Sequence, residues 1–189
     1  MSNKSGNLII IAAPSGTGKS TLIKRIKNEF PSLEESISFT TRPIREGEAD
    51  GENYFFVSND VFEKMIEDNE LLEWAKVHGN YYGTSKKFVE SRMNDGVDLL
   101  FELDVQGIDS FKKAFPSKVN AIFVAPPSFE ELQKRLKNRA TESQEIINIR
   151  LETARREMER KNDFDFLIIN DDIERAYEEL KTVIKGILA

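Results

Sequence analysis

One stretch near the N-terminus constrains this chain more than any other: Ala13-Pro14-Ser15-Gly16-Thr17-Gly18-Lys19-Ser20-Thr21. It follows Leu8-Ile9-Ile10-Ile11-Ala12, an apolar β-branched run that reads as a buried strand. A helical pattern from about Lys19 to Phe30 comes next, and Pro31 stops it. A glycine loop between strand and helix, closed by Gly-Lys-Ser, is the Walker A pattern in the context that pattern requires. Gly16 and Gly18 let the backbone curl so that successive N–H groups point at phosphate oxygens, and the helix N-terminus adds partial positive charge. Lys19 can bridge β- and γ-phosphates as a point charge, and Ser20 can ligate the Mg²⁺ that travels with ATP. The pattern's first glycine is Ala13 here, a substitution that a negative φ would tolerate.

Apolar runs and helical patterns alternate along the rest of the chain. Strands are expected around Ile37–Thr40, Leu99–Leu103, Val119–Val124 and Phe166–Ile169. Helices are expected at about Val61–Asn69 after the capping cluster Ser58-Asn59-Asp60, and at about Lys86–Asp95, ended by Gly96. Further helices are expected from a Ser128/Glu131 capping box to about Asn138, from about Ser143 to Lys161, and from Ile173 to Ile187. The alternation predicts an α/β fold with a mostly parallel sheet covered by helices. Residues 34–88 and 126–156 fit it poorly and read as insertions into a core of about 1–33, 89–125 and 157–189. The length, 189 residues, suits one such domain.

Glu102 and Asp104 lie two apart at the C-terminal end of a predicted strand, so both face one side of the sheet. That end of a parallel sheet also carries the phosphate loop and is where ligands collect. A carboxylate there can hold Mg²⁺ through water or contact a substrate, and Glu102 and Asp104 are expected on the acceptor side.

The phosphate loop implies a nucleotide but not a reaction. Spaced motifs in the first insertion discriminate: Ser38-Phe39-Thr40-Thr41-Arg42-Pro43-Ile44-Arg45-Glu46-Gly47-Glu48, Asn53-Tyr54-Phe55-Phe56, Glu73-Trp74, and Gly79-Asn80-Tyr81-Tyr82-Gly83-Thr84. With these, the sequence resembles the guanylate kinase family over essentially its whole length. The resemblance implies a P-loop fold with a GMP-binding insertion and a helical lid, and transfer of the γ-phosphate of ATP to GMP. It assigns Arg42, Arg45, Tyr54 and Tyr82 to the GMP phosphate, and Ser38, Glu73 and Thr84 to guanine. The chemistry is coherent. Two guanidinium forks match a phosphate dianion, and one carboxylate can accept both the N1–H and N2–H of guanine, which adenine does not offer.

The same resemblance places Arg135, Arg139 and Arg150 on a mobile lid over ATP, where converging cations stabilise a migrating phosphoryl group. Asn170, after the last core strand, corresponds to a position that contacts adenine.

Composition excludes several alternatives. The chain has no cysteine, so disulfides and thiolate metal sites are impossible, and its one histidine, His78, reads as an ordinary loop residue. A net charge of −6 repels nucleic acids and anionic membranes, so anionic ligands need local Arg and Lys clusters. The longest apolar run is too short to span a bilayer, and the expected compartment is the cytoplasm. Two competing readings keep the fold. A different acceptor, another nucleoside monophosphate or a phosphorylated sugar, would not need Glu73, Ser38 and Thr84. A kinase-like binding module would have shed the Lys19, Ser20, Arg42 and lid positions that this chain retains.

Overall fold

A computed structural model describes residues 5–77, 79–137 and 144–189. His78, Asn138, Arg139 and Ser143 therefore lie outside the described residues. One parallel sheet has five strands: β1 (Leu8–Ala12), β2 (Glu34–Glu35), β7 (Leu99–Glu102), β8 (Val119–Ala125) and β9 (Phe166–Ile169), in the order β2-β7-β1-β8-β9. A second sheet, ordered β4-β3-β6-β5, contains β3 (Phe39–Thr40), β4 (Phe55–Phe56), β5 (Leu71–Val77) and β6 (Asn80–Ser85). By its contacts the chain divides into two compact units.

One unit comprises Ile9–Leu33, Glu102–Val105 and Asn120–Ala189. All five β1 residues are fully buried, as a parallel-sheet strand requires. Helix α1 (Lys19–Glu29) turns Leu22, Ile23 and Ile26 inward, the i, i+1, i+4 spacing of an amphipathic helix. It is braced by α7 (Ile173–Leu188), where Arg25 forms a bidentate pair with Glu174, both contacts at 2.7 Å, and stacks over Tyr177 at 3.9 Å. Asp172 caps α7 by accepting from the N–H groups of Glu174 and Arg175. Helices α5 (Phe129–Lys137) and α6 (Gln144–Glu159) bury Leu132, Leu136, Ile147, Leu151 and Ala154 in a shared cluster, and a 3₁₀ turn, Arg160–Asp163, follows. Ser128 caps α5 through the N–H of Glu131, one half of the expected box. Glu131 itself turns to Arg135 and Lys134.

The other unit comprises residues 5–8, Glu34–Phe101 and Gln106–Val119. Ser58 and Ser85 cap α2 (Asn59–Glu67) and α3 (Lys86–Asn94), each accepting from the N–H three residues on. Gly96 ends the α3 turn at φ +78°, as its position in the sequence implied. Several expected bounds shift, α2 among them, which runs Asn59–Glu67 rather than from Val61 to Asn69. The second strand begins at Phe39 rather than Ile37, β7 stops at Glu102, and the long helix gives way to 3₁₀ geometry after Glu159. Strands β2, β4, β5 and β6 and helix α4 (Gly107–Ala114) were not among the expected elements. Phe62 of α2 stacks on Tyr81 at 5.1 Å and closes the face of the second sheet opposite Glu73 and Thr84.

Candidate active site

The phosphate loop lies in the first unit, its backbone fixed by two left-handed glycines. Gly16 and Gly18 hold φ of +91° and +89°, where a side chain would be strained. A Cβ at Gly16 would also lie 2.9 Å from Leu136 of α5, and one at Gly18 would lie 2.7 Å from the Asn170 amide. Ala13 is not among the residues with positive φ, so its methyl group is accommodated as anticipated. Thr17 is fully buried, and its hydroxyl and main-chain N–H both donate to the Pro14 carbonyl, at 2.8 and 3.3 Å. Gly18 supplies no capping side chain, so the first-turn N–H groups of α1 are not covered by one.

The polar groups around the loop come from several elements of this unit. Lys19 pairs with Glu102 at 3.2 Å, so Glu102, expected on the acceptor side, sits against the phosphate-loop lysine. Exposure alternates past the end of β7, with Leu103 and Val105 buried and Glu102 and Asp104 turned outward. Arg135 donates to the Asn170 carbonyl at 3.1 Å, and Arg150 reaches the Ser15 hydroxyl at 3.4 Å. Arg135 and Arg150, the two described arginines of the expected lid, thus contact the loop or its support. The Asn170 side chain, expected near adenine, donates to the Thr17 carbonyl at 2.5 Å.

Glu157 of α6 escaped sequence reasoning, because only burial reveals it. Desolvation pushes its carboxyl up to about 7; the charge of Lys19 opposes this and that of Asp104 reinforces it. An unfolded glutamate titrates near its ordinary value of about 4.3. Folding stability from this group is therefore fully present below that pH and is lost as pH rises to about 7. The variant Glu157→Gln should match the parent at pH 4.5. At pH 8 it should exceed the parent by about 1–2 kcal/mol, less than the full linkage value because the group is partly solvated. Denaturant melts at the two pH values check this, and a constant difference between the proteins would refute it.

In the second unit the structure gathers most of the residues expected on the acceptor side. Glu73 on β5 and Thr84 on β6 are direct cross-strand partners, and the Thr84 hydroxyl donates to Glu73 Oε1 at 2.7 Å. Glu73 is only 8% exposed and Thr84 is fully buried. Thr84, assigned with Glu73 to guanine, thus orients the carboxylate in the free protein. Tyr82 lies two residues before Thr84 and shares its face; it pairs with Thr40, whose other neighbour is Phe56. Tyr54 meets Tyr82 and Phe56 edge-on at 5.8 and 5.9 Å, and the Arg42 guanidinium lies 5.5 Å from the Tyr54 ring. Ser38 is half-buried in the segment leading into β3. Arg45 is exposed.

Glu48 organises both arginines. Arg42 Nη2 donates to both of its oxygens, at 2.7 and 3.0 Å, and the Arg45 main-chain N–H donates at 2.9 Å. Arg42 Nη1 is bonded to the Pro43 carbonyl at 2.8 Å. Hydrogen bonding to Glu48 raises the Arg42 pKa, and the same bond holds the Glu48 carboxyl below its ordinary value. The lowered Glu48 pKa means that the brace is in place above pH 4.5 and is lost only as acid protonates it. Removing its charge with Glu48→Gln loosens Arg42. The KM for the expected acceptor, GMP, should rise about 3- to 10-fold while that for the expected donor, ATP, stays within twofold. Steady-state kinetics decide, and equal KM values for parent and variant would exclude the brace.

A buried strand, two left-handed glycines and a lysine in the first turn of a helix define a P-loop nucleotide-binding protein. The family model described as guanylate kinase matches residues 5–186, and the chain belongs to that family. It is 46% identical over 181 residues to a guanylate kinase of Syntrophotalea carbinolica, covering 96% of this chain and 86% of the relative. A guanylate kinase of Geobacter sulfurreducens is 47% identical over 181 residues, covering 96% and 89%. The crystal structure of guanylate kinase from Anaplasma phagocytophilum superposes with a TM-score of 0.75 at 30% identity, covering 97% of this chain and 86% of that one.

Proposed function

We propose that this chain transfers the γ-phosphoryl group of ATP to GMP, giving ADP and GDP, with each nucleotide held by the residues its motifs predict. The observation that carries the acceptor assignment is the buried Glu73–Thr84 pair on the same sheet face as Tyr82. A desolvated carboxylate needs partners, and guanine brings two adjacent N–H donors to it. Ser38 completes the base site, and Arg42, Arg45, Tyr54 and Tyr82 take the GMP phosphate.

On the ATP side, residues Ala13 to Thr21 wrap the phosphates and Lys19 neutralises the β- and γ-oxygens. Arg135, Arg139 and Arg150 place positive charge around the migrating phosphoryl group, where charge develops in the transition state. The GMP phosphate is itself the nucleophile. It attacks phosphorus in line as the bond to the ADP oxygen breaks, so no general base is required. Asp104 and Glu102 complete the polar lining, with Glu102 releasing Lys19 to the phosphates when ATP binds. Closure of the lid, residues 126–156, excludes water as a competing acceptor.

The donor set fits a cation carried in by the nucleotide. Ser20 presents an exposed hydroxyl in the first turn of α1, and no group of three acidic or histidine side chains among the described residues could hold a metal alone. Mg²⁺ held by Ser20 and the ATP phosphates would supply charge neutralisation. No described helix is long and apolar enough to cross a membrane. A small-molecule kinase of this kind works in the cytoplasm.

The test is ADP formation from Mg·ATP with GMP, dGMP, AMP, UMP, TMP or buffer as acceptor. Turnover with GMP and little with AMP supports the assignment. Faster turnover with another acceptor would replace it, and GMP binding without turnover would indicate a binding module.

A further inference from the structure

Two threonines where β3 ends are left unused by the assignments above. Thr40 is fully buried, and its hydroxyl donates to the Tyr81 carbonyl at 2.9 Å while accepting the Arg42 main-chain N–H at 3.2 Å. A carbonyl can only accept and an N–H can only donate, so the direction of both bonds is settled. Thr41 secures the same neighbour. Its N–H donates to the Tyr81 carbonyl at 3.1 Å, and its hydroxyl accepts the Tyr81 N–H at 2.9 Å, where a continuing antiparallel ladder would use the main-chain carbonyl.

These bonds fall where the chain leaves the sheet. Strand β3 ends at Thr40, and the backbone bends at Arg42. The Arg42 N–H is therefore met by the Thr40 side chain, the contact to the residue two on by which a threonine makes a turn. Pro43 disfavours helical backbone at Arg42 from the other side. The Arg42 side chain is held separately, by Glu48 and the Pro43 carbonyl. Glu48 thus fixes the guanidinium, and Thr40 fixes the main chain from which it departs. Thr40 is also the cross-strand partner of Tyr82, so it links two residues expected on the GMP phosphate.

We infer that Thr40 is a positioning residue for the acceptor phosphate, its hydroxyl tying the Arg42 main chain to β6 so that the guanidinium stands beside Tyr54 and Tyr82. This rests on the reading of Arg42 as a ligand of the GMP phosphate. The effect of Thr40 on the substrate passes through Arg42. Thr41 keeps the β6 end of the contact in place by engaging both main-chain groups of Tyr81.

The experiment compares Thr40→Val, Thr40→Ser, Arg42→Lys and the double variant Thr40→Val/Arg42→Lys in the full-length chain, with melting temperatures and separate KM values for GMP and ATP. Thr40→Val keeps the shape but puts a methyl group where the hydroxyl stood, so the Arg42 N–H loses its acceptor. Its KM for GMP should rise about 3- to 10-fold while that for ATP stays within about twofold. Thr40→Ser keeps the hydroxyl and loses the methyl group. It should melt below the parent yet hold its KM for GMP within about twofold. Because Thr40 acts through Arg42, the double variant should match Arg42→Lys within about twofold in its KM for GMP. Multiplied losses in the double variant would overturn the proposal, as would a KM for GMP that simply follows the melting temperature. Should valine not be accommodated, Thr40→Ala against Thr40→Ser differs only in the hydroxyl, and the same rise is expected between them. If Arg42→Lys raises the KM for GMP while the variants without the hydroxyl leave it alone, only the Thr40 role fails. Should Arg42→Lys also be silent, the phosphate-site reading fails with it.

Discussion

Lys19→Ala should lower kcat for GDP formation by a factor on the order of 10³ or more, with the fold intact. Lys19 stands in the first turn of α1 with its ammonium paired to Glu102 at 3.2 Å, so in the free protein it is held at the loop by a carboxylate. In the proposed mechanism phosphate charge replaces that carboxylate when ATP binds, and the lysine then stabilises charge that grows in the transition state. Glu102 is two-fifths exposed, so losing this pair costs the free protein little, and the melting temperature should move by only a few degrees. Lys19→Arg should not restore the rate, because a planar fork does not reproduce a compact point charge. Activity of Lys19→Ala within tenfold of the parent would remove the phosphate loop from the mechanism.

The second large effect is on the acceptor. Glu73→Gln should raise the KM for GMP about 10- to 100-fold and leave that for ATP within twofold. The exchange is nearly isosteric, and Thr84 can still donate to the remaining carbonyl oxygen. What changes is the other half of the group: an NH₂ donor now meets the guanine donors, so a hydrogen bond is lost and a repulsive contact created. Because the carboxylate is nine-tenths buried, its neutral replacement should leave the free protein at least as stable. Lowered stability with equal losses for both nucleotides would make Glu73 a structural residue.

Legibility in the sequence followed the range over which each signal acts. The phosphate loop was readable because strand, glycines, lysine and helix are contiguous, and capping serines 58 and 128 were readable for the same reason, whereas the Ser85 cap of α3 came only from the structure. Strands β5 and β6 were hidden. A register shift between Leu71 and Glu73 breaks the two-residue alternation, and Gly83 interrupts the partner strand, where a Cβ would crowd Phe62 at 2.9 Å. Helix α4 is eight residues long and starts without a side-chain cap at Gln106. The recognition residues were named by family resemblance, but their partners were not. The Glu48 hold on Arg42 arises inside an irregular loop, and the Glu157 carboxyl is perturbed by burial that no local pattern encodes.

The contact between Asn170 and the Thr17 carbonyl reaches further than one hydrogen bond. A trans peptide is planar, with its C=O and the following N–H on opposite sides. Fixing the Thr17 oxygen toward Asn170 therefore turns the Gly18 N–H the other way, as an anion-binding loop needs. An amide 153 residues distant in the chain thus sets the polarity of the loop before any phosphate arrives. Changes at the end of β9 should consequently weaken ATP binding while leaving the Walker residues untouched, a defect of orientation with every ligand still in place.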